Sequence, residues 1–236
     1  MTRVRVLALG LAALVSATLV ACGGGSSATG PANDTQLAPT LVVTLDDLPG
    51  GWNASVATTT TSTTILTHGA SQATFADCLG VDPLLFNDAP APAGKAKATS
   101  DRLSFGQSLS ISSGVLIEHD AKGLSDSMKK LSDPAAIGCV RDYLTTVIAA
   151  EFASASATVG TIDVQPLKLT LNADAVAYRG KIPLTGPDGN HEVVLDLVIV
   201  NRGRVLMAFQ FVNRDAPFPA DLQAQVINKV VDRTPA

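Results

Sequence analysis

The chain predicts an α+β fold, an antiparallel β-sheet sandwiched with helices in a single domain. Three observations point there. From Ile162 onward, runs of alternating apolar and polar residues follow one another across turns too short for the crossover helices that parallel strands need. Two stretches with apolar residues at steps of three and four precede these runs, and another follows them. Elements of one kind are therefore grouped rather than alternating, which is the α+β pattern.

Residues 1–21 form a leader. Arg3 and Arg5 precede an apolar run from Val6 to Val20 that closes on Ala21, the order of a secretory signal peptide. About 15 apolar residues fall short of the roughly 20 that a membrane-spanning helix needs. Leu19-Val20-Ala21-Cys22 resembles the lipobox of bacterial lipoproteins. The resemblance implies cleavage before Cys22, a diacylglyceryl group on its sulfur, and a lipid anchor on the extracytoplasmic side of the cell membrane. Ordinary cleavage without lipid is the alternative. One acyl chain holds a protein weakly and two hold it stably, so the implied group suffices as an anchor. Gly23 to Thr40 is Gly, Ser, Ala, Pro, Asn and Thr with almost nothing large enough to pack, so residues 22–40 read as lipidated cysteine plus flexible tether. Its span is roughly 24 Å, and the domain is expected over 41–236.

Within that domain Thr44 and Asp47 have the spacing of a capping box for one short helical turn. Pro49-Gly50-Gly51 stops the turn before Trp52, whose ring is expected to plug the core. Ser55 to Thr67 is rich in β-branched threonine and reads as a strand, a glycosylated stalk being the alternative. Gln72 to Leu79 predicts a short helix carrying Phe75, Cys78 and Leu79, and Ala89 to Ala98 predicts a loop. Leu103, Phe105, Leu109 and Ile111 alternate with polar residues, and Val115 to Glu118 resumes after Ser112-Ser113-Gly114, giving a hairpin. Leu124, Met128 and Leu131 share one helix face. Asp133-Pro134 then ends that helix and starts a second, with the stripe Ile137, Val140, Leu144, Val147, Ile148 and Phe152.

The strands follow. Ile162 and Val164 occupy one phase and Leu167, Leu169 and Leu171 the other, with Pro166 between, the mark of a bulged edge strand. Val176, Tyr178, Ile182 and Leu184 alternate, and Pro187-Asp188-Gly189-Asn190 turns the chain. Val193, Leu195, Leu197 and Ile199 are expected to face one way, Asn201-Arg202-Gly203 to reverse direction, and Val205, Met207, Phe209 and Phe211 to face the same way on the return. A last helix packs Leu222, Val226, Ile227 and Val230 on the sheet. The other face of this late hairpin, with Val194, Val198, Leu206 and Val212, is too apolar for a solvated face. Either helices cover it or it is a groove for an apolar partner, and those four residues are the candidate binding face.

Composition narrows the function. Losing Arg3 and Arg5 with the leader takes the formal charge from −4 to −6, so the mature protein has no electrostatic affinity for nucleic acid or for an anionic bilayer. With Cys22 committed to lipid, Cys78 and Cys139 remain, and in an exported protein they are expected to form a disulfide; two separate buried thiols are the alternative. His68, His119 and His191 are scattered singly, so no metal or other cofactor is expected.

Leu45-x-x-Leu48-Pro49-Gly50-Gly51-Trp52, the cysteine pair and the closing strands and helix together resemble a set of small actinobacterial lipoproteins and the extracellular sensor domains of actinobacterial serine/threonine kinases. The resemblance covers about Leu41 to Val231. It implies a PsbP-like α/β sandwich and a role in binding at the cell envelope without a common catalytic apparatus.

Catalytic patterns are sparse. Ser127-x-x-Lys130 lacks the companion motifs of a serine acyltransferase and reads as the polar face of a helix. Ser104, His119 and Asp120 could form a triad only if the fold brought them together. The expected function is therefore a non-catalytic binding module whose partner is an apolar small molecule, a lipid or an envelope protein. A lipid or glycolipid carrier with an apolar cavity is the alternative, and an exported hydrolase comes third.

Overall fold

The computed structural model describes residues 31–55, 69–86, 90–153, 157–187 and 189–235. Helix α1 (Pro31–Leu37) leads into two short 3-10 turns, Ala38–Leu41 and Leu45–Asp47, and strand β1 (Asn53–Ser55). Helix α2 (Gly69–Leu79) precedes strands β2 (Ala96–Thr99), β3 (Arg102–Phe105) and β4 (Leu109–Ile117). Helices α3 (Lys122–Leu131) and α4 (Ala136–Ala153) follow, then β5 (Thr158–Val159), β6 (Asp163–Pro166), β7 (Asp174–Gly186), β8 (Gly189–Arg202), β9 (Val205–Arg214) and α5 (Ala220–Val231).

All nine strands join one antiparallel sheet in the order β1-β3-β4-β9-β8-β7-β5, with β2 paired to β4 and β6 to β7. The α+β class expected from the grouping of elements is the fold. Two cores result because both faces of the sheet are covered. One packs α2, α3 and α4 through Phe75, Leu131, Val140 and Leu144 against Tyr178, Ile182, Leu195, Leu197 and Ile199. The other packs the N-terminal segment, Trp52 and α5 through Leu41, Val226, Ile227 and Val230 against Val198, Val200, Met207, Phe209 and Phe211. Gly180 of β7 permits the close seat of α4: a Cβ there would lie 2.8 Å from the Leu144 Cδ1 methyl.

Several expectations need correction. The described fold begins at Pro31, not at Leu41. The Thr44–Asp47 box forms as expected, with the Thr44 N–H donating to Asp47 Oδ2 at 2.9 Å, but it sits downstream of a packed helix whose Ala38 neighbour is fully buried. The early hairpin reverses at Gly106-Gln107-Ser108, and β4 runs unbroken through Ser112-Ser113-Gly114. Those serines tolerate burial because they are bonded: Ser113 Oγ accepts from the Val43 N–H at 2.8 Å, and Ser112 Oγ donates to Gln210 Oε1 at 3.1 Å. The end of the expected loop at Ala96–Ala98 is strand, paired to Val115–Ile117. The threonine tract beyond Ser55 and the side chains of Val147, Ile148 and Phe152 lie outside the described residues.

The largest correction concerns phase. Arg202 pairs with Val205, leaving the two-residue turn Gly203-Arg204 with φ of +61° at the glycine. That turn sets odd residues of β8 opposite even residues of β9: Leu197 faces Gln210, and Val198 faces Phe209. Leu195, Leu197 and Ile199 therefore point to the α2–α4 side while Val205, Met207, Phe209 and Phe211 point to the α5 side.

Candidate functional site

The candidate apolar face does not exist as one surface. Val198 belongs to the α5 core, Val194 lies four residues before it on the same side of β8, and Leu206 and Val212 belong to the α2–α4 side. Val194, Val198 and Leu206 are at most 1% exposed. Helices cover both sides, which was the first of the two readings left open, and the apolar character of the second face is core. The layer where a carrier would hold its cargo is filled by Leu131, Val140, Tyr143, Leu144, Leu197 and Ile199.

Cys78 and Cys139 are joined, with Cα atoms 5.8 Å apart, and tie α2 to α4. The bridge lines an open groove of about 310 Å³ together with Thr74, Phe75, Asp142, Tyr143 and Thr146. Phe75 and Tyr143 stack beneath it with ring centroids 4.1 Å apart, and Phe86 leans on Phe75 at 5.0 Å. Burial pushes the Tyr143 hydroxyl far above its usual range, so the floor of this groove is neutral and apolar, and among its lining residues the charge is that of the Asp142 carboxylate.

A second feature lies at the end of the sheet where β3 turns into β4. Phe105 is 43% exposed although Leu103, two residues earlier in the same phase, is 2% exposed. The strand ends at Phe105, so its ring overhangs the sheet and rests on Trp52, centroid to centroid 5.7 Å, with Phe218 6.4 Å beyond Trp52. Gly51, at φ +95°, makes room: a Cβ there would sit 2.9 Å from the Phe105 ring. Alternation alone put Phe105 inside, and its place next to a Gly-Gln-Ser turn was the signal that it caps a strand end.

Three arginine–aspartate pairs organise the α5 side and the N-terminal segment. Arg179 Nε and Nη2 donate to the two carboxylate oxygens of Asp196, each at 2.7 Å, and Gln223 Nε2 of α5 reaches Oδ2 at 3.2 Å; Asp196 is fully buried. The hydrogen bonds to Asp196 hold the Arg179 guanidinium above its ordinary range despite partial burial. Arg204 in the β8–β9 turn makes a two-pronged pair with Asp34 of α1, one arm at 2.7 Å, and also donates to the Glu118 carbonyl at 3.0 Å. Arg233 donates to Asp47 Oδ2 at 3.0 Å. Asp34 was hidden in the expected tether. Pro31 followed by an acid in the first turn is a helix-start pattern that could have revealed it.

The catalytic patterns are not assembled. Ser104 lies opposite Ser110 in the β3–β4 ladder, and His119 follows the far end of β4, about 30 Å away along the strand. Ser127 Oγ donates to the Gly123 carbonyl, an ordinary bond on a helix surface. His119 is exposed, His191 Nδ1 lies 3.2 Å from Asp215 Oδ2, and His68 is outside the described residues. Among the described residues no three metal-ligating side chains converge, and no helix is long and apolar enough to cross a membrane. Cys22 also lies outside the described residues.

No known protein family matches the chain, and no curated protein matches it. Among solved structures it is similar to the extracellular domain of PknH from Mycobacterium tuberculosis, at 9% identity and a TM-score of 0.28 over 71% of this chain and 93% of that one. It is also similar to PA94, a protein of unknown function from Pseudomonas aeruginosa, at 15% identity and a TM-score of 0.20 over 64% and 87% of the two chains. At such scores the fold assignment rests on the strand order and register given above.

Proposed function

We propose that the protein is an extracytoplasmic lipoprotein, anchored through Cys22, whose single α+β domain is a non-catalytic binding module of the cell envelope. The observation that carries this reading is the combination of a lipobox cysteine with a domain stapled by Cys78–Cys139. A secretory leader and a structural disulfide both belong to an oxidising compartment, and they were read from separate stretches of the chain. Binding falls to surface features because the two interlayer spaces are filled with side chains. Phe105, exposed beside the buried Trp52, offers an apolar contact to a partner that costs no unfolding.

Replacing Cys22 by Ala is the test. The variant is expected to leave the membrane fraction for the medium or soluble envelope fraction while retaining its disulfide; continued membrane retention of Cys22→Ala would refute the anchor. Native mass spectrometry of the intact protein from its own membrane tests the binding half. A bound protein partner lost in Phe105→Ala is expected, and a co-purifying lipid held in the folded domain would favour the carrier instead.

A further inference from the structure

Resting on the anchored reading just given, we infer that the domain has a fixed membrane-facing end: the α1 end of the sheet, with the Gly203-Arg204 turn, lies against the bilayer and the opposite end points away from it. The inference comes from chain length and from one clamp. Asp34 of α1 is 3% exposed and is held by both arms of Arg204 in the β8–β9 turn. The clamp thus holds helix α1, which starts at Pro31, beside that turn, and only nine peptide links separate Pro31 from Cys22. Nine links reach at most about 31 Å when fully extended, whatever conformation they adopt.

The domain is longer than that reach. Strand β8 has 14 residues and runs from the far turn to the clamped turn, a length of about 43 Å at ~3.3 Å per residue. An inverted domain, with the far turn on the lipid and the clamped turn raised, would need a connection about as long as the strand. The connection is too short. Had the packed fold begun at Leu41, as composition suggested, ten more residues would have permitted it. The clamp thus converts a loose leash into an orienting one, and the exposed Phe105 overhang, at the β3–β4 turn on the far half of the sheet, is carried on the outward side.

The experiment uses the full lipidated protein reconstituted in phosphatidylethanolamine–phosphatidylglycerol vesicles that carry a headgroup-attached fluorescence quencher. Single cysteines are placed at exposed sites near the clamped turn, Asp174→Cys and His119→Cys, and at the far turn, Asn190→Cys and Thr185→Cys. The Asp174–Asn201 and Thr185–Asn190 pairs lie about 36 Å apart along the ladder, well beyond contact quenching for one end when the other touches lipid. Several-fold stronger quenching of labels at 174 and 119 than at 190 and 185 is expected. Equal or reversed quenching in protein that floats with the vesicles would overturn the orientation and leave the anchor standing. Failure of the protein to float with vesicles, with intact mass showing unmodified Cys22, would overturn the anchor and the orientation together.

Discussion

The two faces of the sheet bury similar apolar side chains but are fastened differently. The α2–α4 face is held by a covalent bridge and by ring stacking: Cys78–Cys139 joins its helices, and Phe75, Phe86 and Tyr143 pack beneath. The α5 face also packs rings, through Trp52, Phe209, Phe211 and Phe218, but it lacks the bridge and is fastened by charge instead: Asp196–Arg179 with Gln223, Asp47–Arg233, and Asp34–Arg204 at its edge. Consecutive residues of β7 show the division, since Tyr178 points to the first face and donates to the Leu131 carbonyl while Arg179 points to the second. Helices α2 and α4 enclose an excursion of 61 residues, so a crosslink removes much unfolded-state freedom there. The α5 face joins the segment around Asp34 and Asp47 to Arg204 and Arg233, 170 and 186 residues away, and there guanidinium–carboxylate pairs fix the geometry.

The comparison can be broken most strongly at the bridge. Replacing both Cys78 and Cys139 by Ala is expected to lower stability by about 4 kcal/mol, the chain-entropy value for a loop of this size, read as a shift of the denaturant midpoint. In the double variant hydrogen-exchange protection should fall more in α2 and α4 than in α5 under native conditions. On the other face, Asp196→Ala strands the Arg179 guanidinium and removes the partner of Gln223. A loss of about 3 kcal/mol is expected, whereas replacing Arg179 and Asp196 together by apolar residues should cost much less. Equal losses in the single and double replacements would show that the pair acts through packing rather than charge.

Alkaline titration separates the faces most gently. Burial, with the charge of Asp133 adding to it, pushes the Tyr178 hydroxyl up to about 12 from its usual 10. A raised folded-state value favours the neutral form, so its contribution is complete below pH 10 and is lost as pH rises from 10 towards 12. Both tyrosines of the chain lie on the α2–α4 face. Tyrosinate absorbance should therefore stay flat through pH 10 and rise together with loss of that face's packing, while the arginine pairs opposite remain charged. A normal phenol titration near 10 would contradict the closed packing around both rings.

Legibility followed the physics of each signal. Periodicity located the paired strands and helices of the second half because each has at least one strictly apolar side. It failed to phase the late hairpin because both sides of β8 and β9 are apolar, so nothing in the alternation distinguished one face from the other; the length of the Gly203-Arg204 turn decided it. Composition hid α1, since Pro31-Ala-Asn-Asp34 looks like linker until Arg204, 170 residues away, supplies its partner. The disulfide was readable from arithmetic, as two cysteines were left once Cys22 was spent. The Phe105 overhang was not readable from alternation, because exposure at a strand end depends on where the turn falls, and only the adjacent Gly106-Gln107-Ser108 marks it.

The arginine pairs also impose an order in time. Asp34 and Asp47 lie near the start of the described residues, yet their partners Arg204 and Arg233 come 170 and 186 residues later. A chain delivered N-terminus first must hold this segment undocked until α5 has arrived, because the surface it docks on does not exist before β8, β9 and α5 are made. The staple between Cys78 and Cys139 can close long before that. The segment around Asp34 and Asp47 is thus made before the surface that receives it, and its docking marks the completion of the fold.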